Sequence, residues 1–189
     1  MFIDCEYPMI ATARLSGMML DYPKLLDKGI GGLRSDLQEK LKEQPDNNFY
    51  KAGIQCLDIF VDCASHLQQD AREQMASANM KRQKELERIC QALENIKEKK
   101  PGTFHEAMQL FWLFALLAGV INYGRLDDYL GPYLVADLKS GRLTDEEAYR
   151  YIHSLWTMIE NRRTTVNGRI IVGGKGPVSY THLRAHETS

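Results

Sequence analysis

From Thr103 to Leu130 the chain reads TFHEAMQLFWLFALLAGVINYGRLDDYL, and between Ala107 and Ile121 only Gln109 is strongly polar. A helix that is apolar on every side has to be buried, in a protein core or in a bilayer. The run of 15 residues falls short of the roughly 20 that a bilayer crossing needs. It is therefore read as a core helix. Thr103 and Glu106 form a capping-box pattern at its start, and Asn122–Gly124 breaks it. What such a helix demands is cover, and a chain of 189 residues, about one domain, has little to spare.

Composition narrows the class. Hydrophobic residues make up 44% and charged residues 26%, which is a globular and not a disordered balance. The formal net charge is −1, with cations and anions interspersed. Nucleic-acid binders show a basic footprint, and none is present here. No cationic, apolar leader opens the chain, so a cytoplasmic location is expected, with no membrane partner. The cysteines Cys5, Cys56, Cys63 and Cys90 have no C-x-x-C spacing. They are read as small buried hydrophobes in a reducing compartment.

The rest of the chain is mostly helical in pattern. Residues 1–21 are poorly patterned. Tyr22 to Leu41 reads as helix, an interruption at Gly29–Gly32, and helix again. After the turn signal at 44–48, Phe49, Cys56, Leu57, Phe60, Cys63, Ala64 and Leu67 recur at helical steps. Leu86, Ile89, Cys90, Leu93 and Ile96 form a narrow stripe on a helix at about 80–98, closed by Pro101–Gly102. Leu126 to Lys139 is another helix, ended by Ser140–Gly141. Thr144 and Glu147 open the last one, with Ala148, Ile152, Leu155, Trp156 and Ile159 on one face. Arg162 and Arg163 stand near its negative end.

Then the period changes. RTTVNGRIIVGG is β-branched, and Asn167–Gly168 is compatible with a tight hairpin turn. A single strand Arg169–Val172 running into a glycine loop is equally compatible. Some five helices thus precede one strand or hairpin near 164–173 that has no sheet to join. An isolated hairpin is marginal in water, so the sequence reads as part of something larger.

Chemistry is hard to find in the residues themselves. GGKG at 173–176 lacks the phosphate-loop spacing. His66, His105 and His153 sit singly on helices, without H-E-x-x-H spacing. Asp127 and Asp128 are neighbours on a helix start, where their side chains point apart and suit the helix dipole. His182 and His186, at i and i+4, lack a third metal ligand. The segment 177–189, PVSYTHLRAHETS, resembles a translated sequencing adaptor and is set aside as a non-native tail. No catalytic and no metal-ligating residue is assigned. On residues alone, a non-catalytic helical binding or scaffold module is the alternative to an enzyme fragment.

Four strings in order change this reading. They are FYKAGIQCLDIFVDCASHLQQDA, KRQKELERICQAL, TFHEAMQLFW and GRLDDYLGPYLVADLKSGRLTDEEA. They resemble the F-Y-x-A, E-L-x-x-I, T-F-x-E-A-x-Q-x-x-W and G-R-x-D-Q-Y-L-x-P-Y segments of the pyruvate formate-lyase-like domain of the glycyl-radical enzymes. A D-L-x-x-G-x-L-T-x-x-E-A linker comes after them. The resemblance covers about 22–176. It implies a mainly α-helical fragment of a ten-stranded α/β barrel, with RIIVGGKG as one barrel strand and its turn. The apolar helix would then be covered by barrel that this chain does not contain.

The same resemblance implies radical chemistry on a small oxygenated metabolite, as a C–C or C–O lyase, a dehydratase or a formate acetyltransferase-like enzyme. In that family a separate activase using S-adenosylmethionine and an iron–sulfur cluster installs a glycyl radical, which passes to a loop cysteine. Homodimers of the full-length protein fit the same pattern. Neither radical residue is found here. No R-V-x-G-[YF] string occurs, and Cys5 in DCEYP lies on the wrong side of the F-Y-x-A segment. The chain alone is expected to be inactive and to bind no cofactor of its own. Where dehydratase-type members carry a polar H-S pair, Gly119 and Val120 stand, and Asn122 is the nearest polar residue. Val120 and Asn122 are therefore the substrate-pocket candidates, and the change argues against a glycerol- or diol-type pocket. Asp128 replaces the usual Gln of G-R-x-D-Q and Gly131 the usual aromatic.

Overall fold

The computed structural model describes residues 19–162 and 168–173. Cys5, Arg163, the turn residue Asn167, the lysine of GGKG and the tail with His182 and His186 lie outside the described residues.

Helix α1, Tyr22–Glu43, starts where the Asp21 carboxylate accepts the Lys24 amide at 3.1 Å. It bends at Gly29 (φ 64°, ψ 178°), inside the expected interruption. The bend sets α1 against the end of a later helix: a Cβ on Gly29 would lie 2.6 Å from the Lys100 nitrogen. The Gly31 amide donates to the Glu98 carbonyl at 3.1 Å, and a Cβ on Gly31 would collide with that oxygen. Only residues without a side chain allow so close an approach.

Helix α2, Asn48–Met75, is capped by the Asn47 side chain and turns Leu57, Phe60, Ala64 and Ala71 inward. The apolar stripe read from the sequence is wider than the cover available. Phe49 and Leu67 are exposed, Cys56 is exposed, and Cys63 is half-buried. Of the three described cysteines only Cys90 is a buried hydrophobe as expected. It lies on α3, Met80–Ile96, with Leu86, Leu93 and Ile96. The one buried amide of α2, Gln68, donates to the Cys90 carbonyl at 2.9 Å and accepts from Lys97 Nζ at 2.9 Å. A buried polar group without such partners would be costly.

The apolar run becomes α4, Phe104–Leu117. Much of its cover comes from within the chain. It packs against α1, α2 and α3 and against α5, Leu126–Lys139. Leu110, Phe111 and Ala115 have no exposed surface, while Leu116 and Leu117, past the reach of those neighbours, are exposed. Each fully sealed large side chain contributes roughly 1.5–3 kcal/mol. The helix also stops earlier than its hydrophobicity implies, at Leu117, and Gly119 turns the chain with φ 66°.

Beyond that turn the chain enters strand β1, Asn122–Arg125, where the sequence pattern shows only a helix break. It pairs in parallel with β2, Arg169–Ile171, in the register Asn122↔Arg169, Gly124↔Ile170 and Arg125↔Ile171. The strand at 169–171 therefore does have a sheet to join. Asn122 also bridges to Met19, so β1 has neighbours on two sides. Parallel strands need a long crossover, and here α5 and α6, Asp145–Asn161, supply it. Helix α6 carries a complete Thr144–Glu147 capping box. It buries Ala148 and Leu155, while Trp156, placed by its spacing on the same face, is 42% exposed because nothing described covers that flank. Among the described residues no helix is long and apolar enough to cross a membrane.

Candidate functional site

In parallel α/β sheets the carboxyl ends of the strands are where ligands gather. Here those ends are Arg125 and Ile171, and an ion pair ties them together. Arg125 donates from Nε and Nη2 to the two Asp127 carboxylate oxygens, at 2.9 and 3.1 Å. Asp127 also accepts the Gly173 amide at 2.9 Å, just beyond β2. The Arg125 guanidinium, and then that amide, hold the Asp127 carboxyl below its ordinary value. Asp128 is exposed, so the two neighbouring acids do diverge. The G-R-x-D motif is thus a clamp that pins the start of α5 to the loop leaving β2.

The segment entering β1 carries the two pocket candidates. Val120 is completely buried, with its amide donating to the Ala115 carbonyl at 3.2 Å. Asn122 is half-buried, and its side chain accepts the Gly124 amide at 3.3 Å. Between them and Gly124 lie Ile121 and Tyr123, both buried. The Tyr123 carbonyl accepts the Tyr129 hydroxyl at 2.7 Å, and the Tyr123 hydroxyl accepts Arg162 Nη1 at 2.8 Å. Sequence reasoning singles out Arg162 for the helix dipole and misses this contact, because its acceptors lie far away along the chain.

Behind the strand an aromatic cluster fixes its position. Tyr22 stacks on Tyr129 with centroids 5.1 Å apart and meets Phe111 edge-on at 4.9 Å. Phe111 in turn meets Tyr123 at 5.7 Å. Burial pushes the Tyr22 and Tyr129 phenols well above their ordinary range, so both stay neutral. The Tyr22 hydroxyl is buried and has no hydrogen-bond partner among the described residues.

A cleft lies where α3, α4 and α6 meet, lined by Arg88, His105, Arg142, Glu147 and Tyr151. Its charges pair off: Arg88 lies 3.3 Å from Glu147, and Arg142 lies 2.9 Å from Asp137. The His105 ring lies flat on Tyr151, with centroids 4.9 Å apart. Burial lowers its pKa, so it is a neutral packing residue at neutral pH and not a poised acid. His66 and His153 are exposed on their helices. Among the described residues no three His, Cys, Asp or Glu side chains converge as a metal site would require.

The family model described as pyruvate formate lyase-like matches residues 5–178. The chain belongs to this family. Isethionate sulfite-lyase of Oleidesulfovibrio alaskensis is 28% identical over 153 residues, which are 72% of this chain and 18% of that protein. The (2S)-3-sulfopropanediol dehydratase of Klebsiella oxytoca is 30% identical over 161 residues, 76% of this chain and 19% of that protein. A solved glycyl radical enzyme from Archaeoglobus fulgidus shares the fold, with a TM-score of 0.71 at 24% identity over 86% of this chain and 22% of its own. This pyruvate formate lyase-like chain therefore spans about a fifth of the length of the relatives it matches. Its relatives are glycyl radical enzymes, as the four sequence strings imply. The R-V-x-G-[YF] string does not occur among its 189 residues.

Proposed function

We propose that this chain is one portion of an anaerobic, cytoplasmic glycyl radical enzyme, a lyase, dehydratase or acyltransferase acting on a small oxygenated metabolite. The observation that carries the reading is the family match, with the Gly124–Arg125–Asp127 motif folded as a clamp at parallel strand ends. The relatives' names, a sulfite-lyase of isethionate and a dehydratase of sulfopropanediol, support the substrate class. In this reading residues 22–176 are part of the family domain and 177–189 are not native to it. Val120 and Asn122 back the substrate pocket, Val120 through its backbone and Asn122 through its amide. The partners are the small substrate, a radical-SAM activating enzyme and a second copy of the full-length protein.

Activity then requires residues outside these 189. Incubated anaerobically with an activase and S-adenosylmethionine, this chain gives no glycyl-radical doublet by electron paramagnetic resonance, and the full-length enzyme gives one. A doublet from the chain itself would refute its inactivity, and none from either would refute the radical assignment.

One observation favours a second reading, a self-sufficient helical module without chemistry. The helix that most needs cover finds much of it inside the chain. A single cooperative thermal transition of this chain, without binding of a hydrophobic dye, supports that reading. Aggregation or strong dye binding at low temperature removes it.

A further inference from the structure

Helix α6 ends at Asn161, and the next residue reaches back across the molecule. Arg162 Nη1 donates to the Val120 carbonyl at 2.7 Å and to the Tyr123 hydroxyl at 2.8 Å. These acceptors bracket Ile121 and Asn122, so one nitrogen with its two hydrogens spans the segment that carries both pocket candidates. Val120 and Tyr123 are fully buried, so no bulk water stands ready to replace the guanidinium. The same segment is gripped elsewhere. The Ile121 carbonyl accepts the Arg169 amide at 2.9 Å, the Tyr123 carbonyl accepts the Tyr129 hydroxyl, and a Cβ on Gly168 would lie 2.6 Å from the Tyr123 ring. Of these grips, Arg162 is the one that brings charge and the one that comes from α6.

We propose that Arg162 is a positioning residue for the candidate pocket. It fixes the Val120 carbonyl and the Tyr123 ring, and through them the orientation in which Asn122 is held. The assignment rests on the pocket reading given above. A planar guanidinium suits the task because its paired N–H groups diverge at a fixed angle, whereas a lysine ammonium is a mobile point charge. Arg162→Lys therefore restores part of the function and Arg162→Gln very little.

Two measurements test this. In the 189-residue chain, hydrogen exchange of the Val120 and Arg169 amides accelerates about tenfold or more in Arg162→Gln, while the α2 amides from Leu57 to Ala71 keep their rates. Arg162→Lys falls between. In the full-length enzyme, Arg162→Gln raises KM for the small oxygenated substrate about tenfold, with radical content unchanged and kcat within about twofold. Arg150→Gln, exposed on the same helix, changes none of these. Uniformly faster exchange, or unchanged exchange at Val120, overturns the positioning role. Faster local exchange with an unchanged KM overturns its link to the pocket. A wild-type enzyme with neither radical nor turnover refutes the functional reading instead, and the exchange pattern still decides what Arg162 does.

Discussion

Along α1 to α4 the large side chains Tyr22, Leu26, Ile30, Phe60, Leu93, Ile96 and Phe111 are at most 2% exposed. At β2 the picture reverses. β2 is three residues long, Val172 beside it is 66% exposed, and beyond its pairing with β1 its attachment includes directed contacts: the Asp127 carboxylate on Gly173 and the Ile121 carbonyl on Arg169. The helical stack is held by area, which is non-directional and tolerant of small shifts. β2 is held by geometry, where one lost partner leaves a specific group unpaired. The difference locates stability in one region and the candidate chemistry in the other.

The comparison can be broken most forcefully at Phe111. Phe111→Ala empties the centre of the stack and should cost about 3–5 kcal/mol, read by urea unfolding. A loss near 1 kcal/mol would mean that the stack is not the stabilising region. Gly31→Ala tests the close approach of α1 to α3, since its Cβ meets the Glu98 carbonyl. A cost of roughly 1–3 kcal/mol is expected, as for other overpacked sites.

Asp127→Asn sharpens the other side of the contrast. Its effect should be about 1 kcal/mol and local, seen as faster exchange at the Gly173 amide with α2 and α3 unaffected. The pH dependence has a definite sign. The folded carboxyl titrates below its ordinary value of 3.8, so its contribution is complete above that pH. It fades as pH falls through the folded pKa, and the Asn variant lacks that acid-side loss. The smallest effect belongs to Tyr22→Phe. It removes a buried hydroxyl that has no partner among the described residues, so stability should hold or rise, by no more than about 1 kcal/mol. A clear loss would reveal an acceptor for that hydroxyl.

These contrasts also explain what is legible in the chain beforehand. The α3 stripe of Leu86, Ile89, Cys90, Leu93 and Ile96 obeys one local period, and it is buried except for Ile89, which is half-buried. Gly29 breaks α1 where glycines cluster, and Thr144 with Glu147 closes its box locally. At Thr103 the local rule succeeds only in part. The hydroxyl accepts the Glu106 amide, but the Glu106 carboxylate serves the Gly102 amide and Asn95. Strand β1 escapes notice because Asn-Tyr-Gly-Arg has no β-branched run and holds Gly124 at φ 61°. Its partner lies beyond two helices, and no local pattern names a partner at that distance. The apolar run of α4 announces burial without saying by what. For the candidate site, the resemblance supplies Val120 and Asn122, whereas Arg162 offers only the ordinary signal of a cation at a helix end.

The crossover from β1 to β2 has a consequence for the order of events in folding. Pairing Asn122 with Arg169 closes a loop that contains all of α5 and α6, and such distant contacts are slow to form relative to helices and their near neighbours. On refolding from urea, the far-ultraviolet helical signal should return first and protection of the Arg169 amide last. The clamp at the strand ends is then the final part of the molecule to be assembled, and the first to be released when the chain begins to unfold.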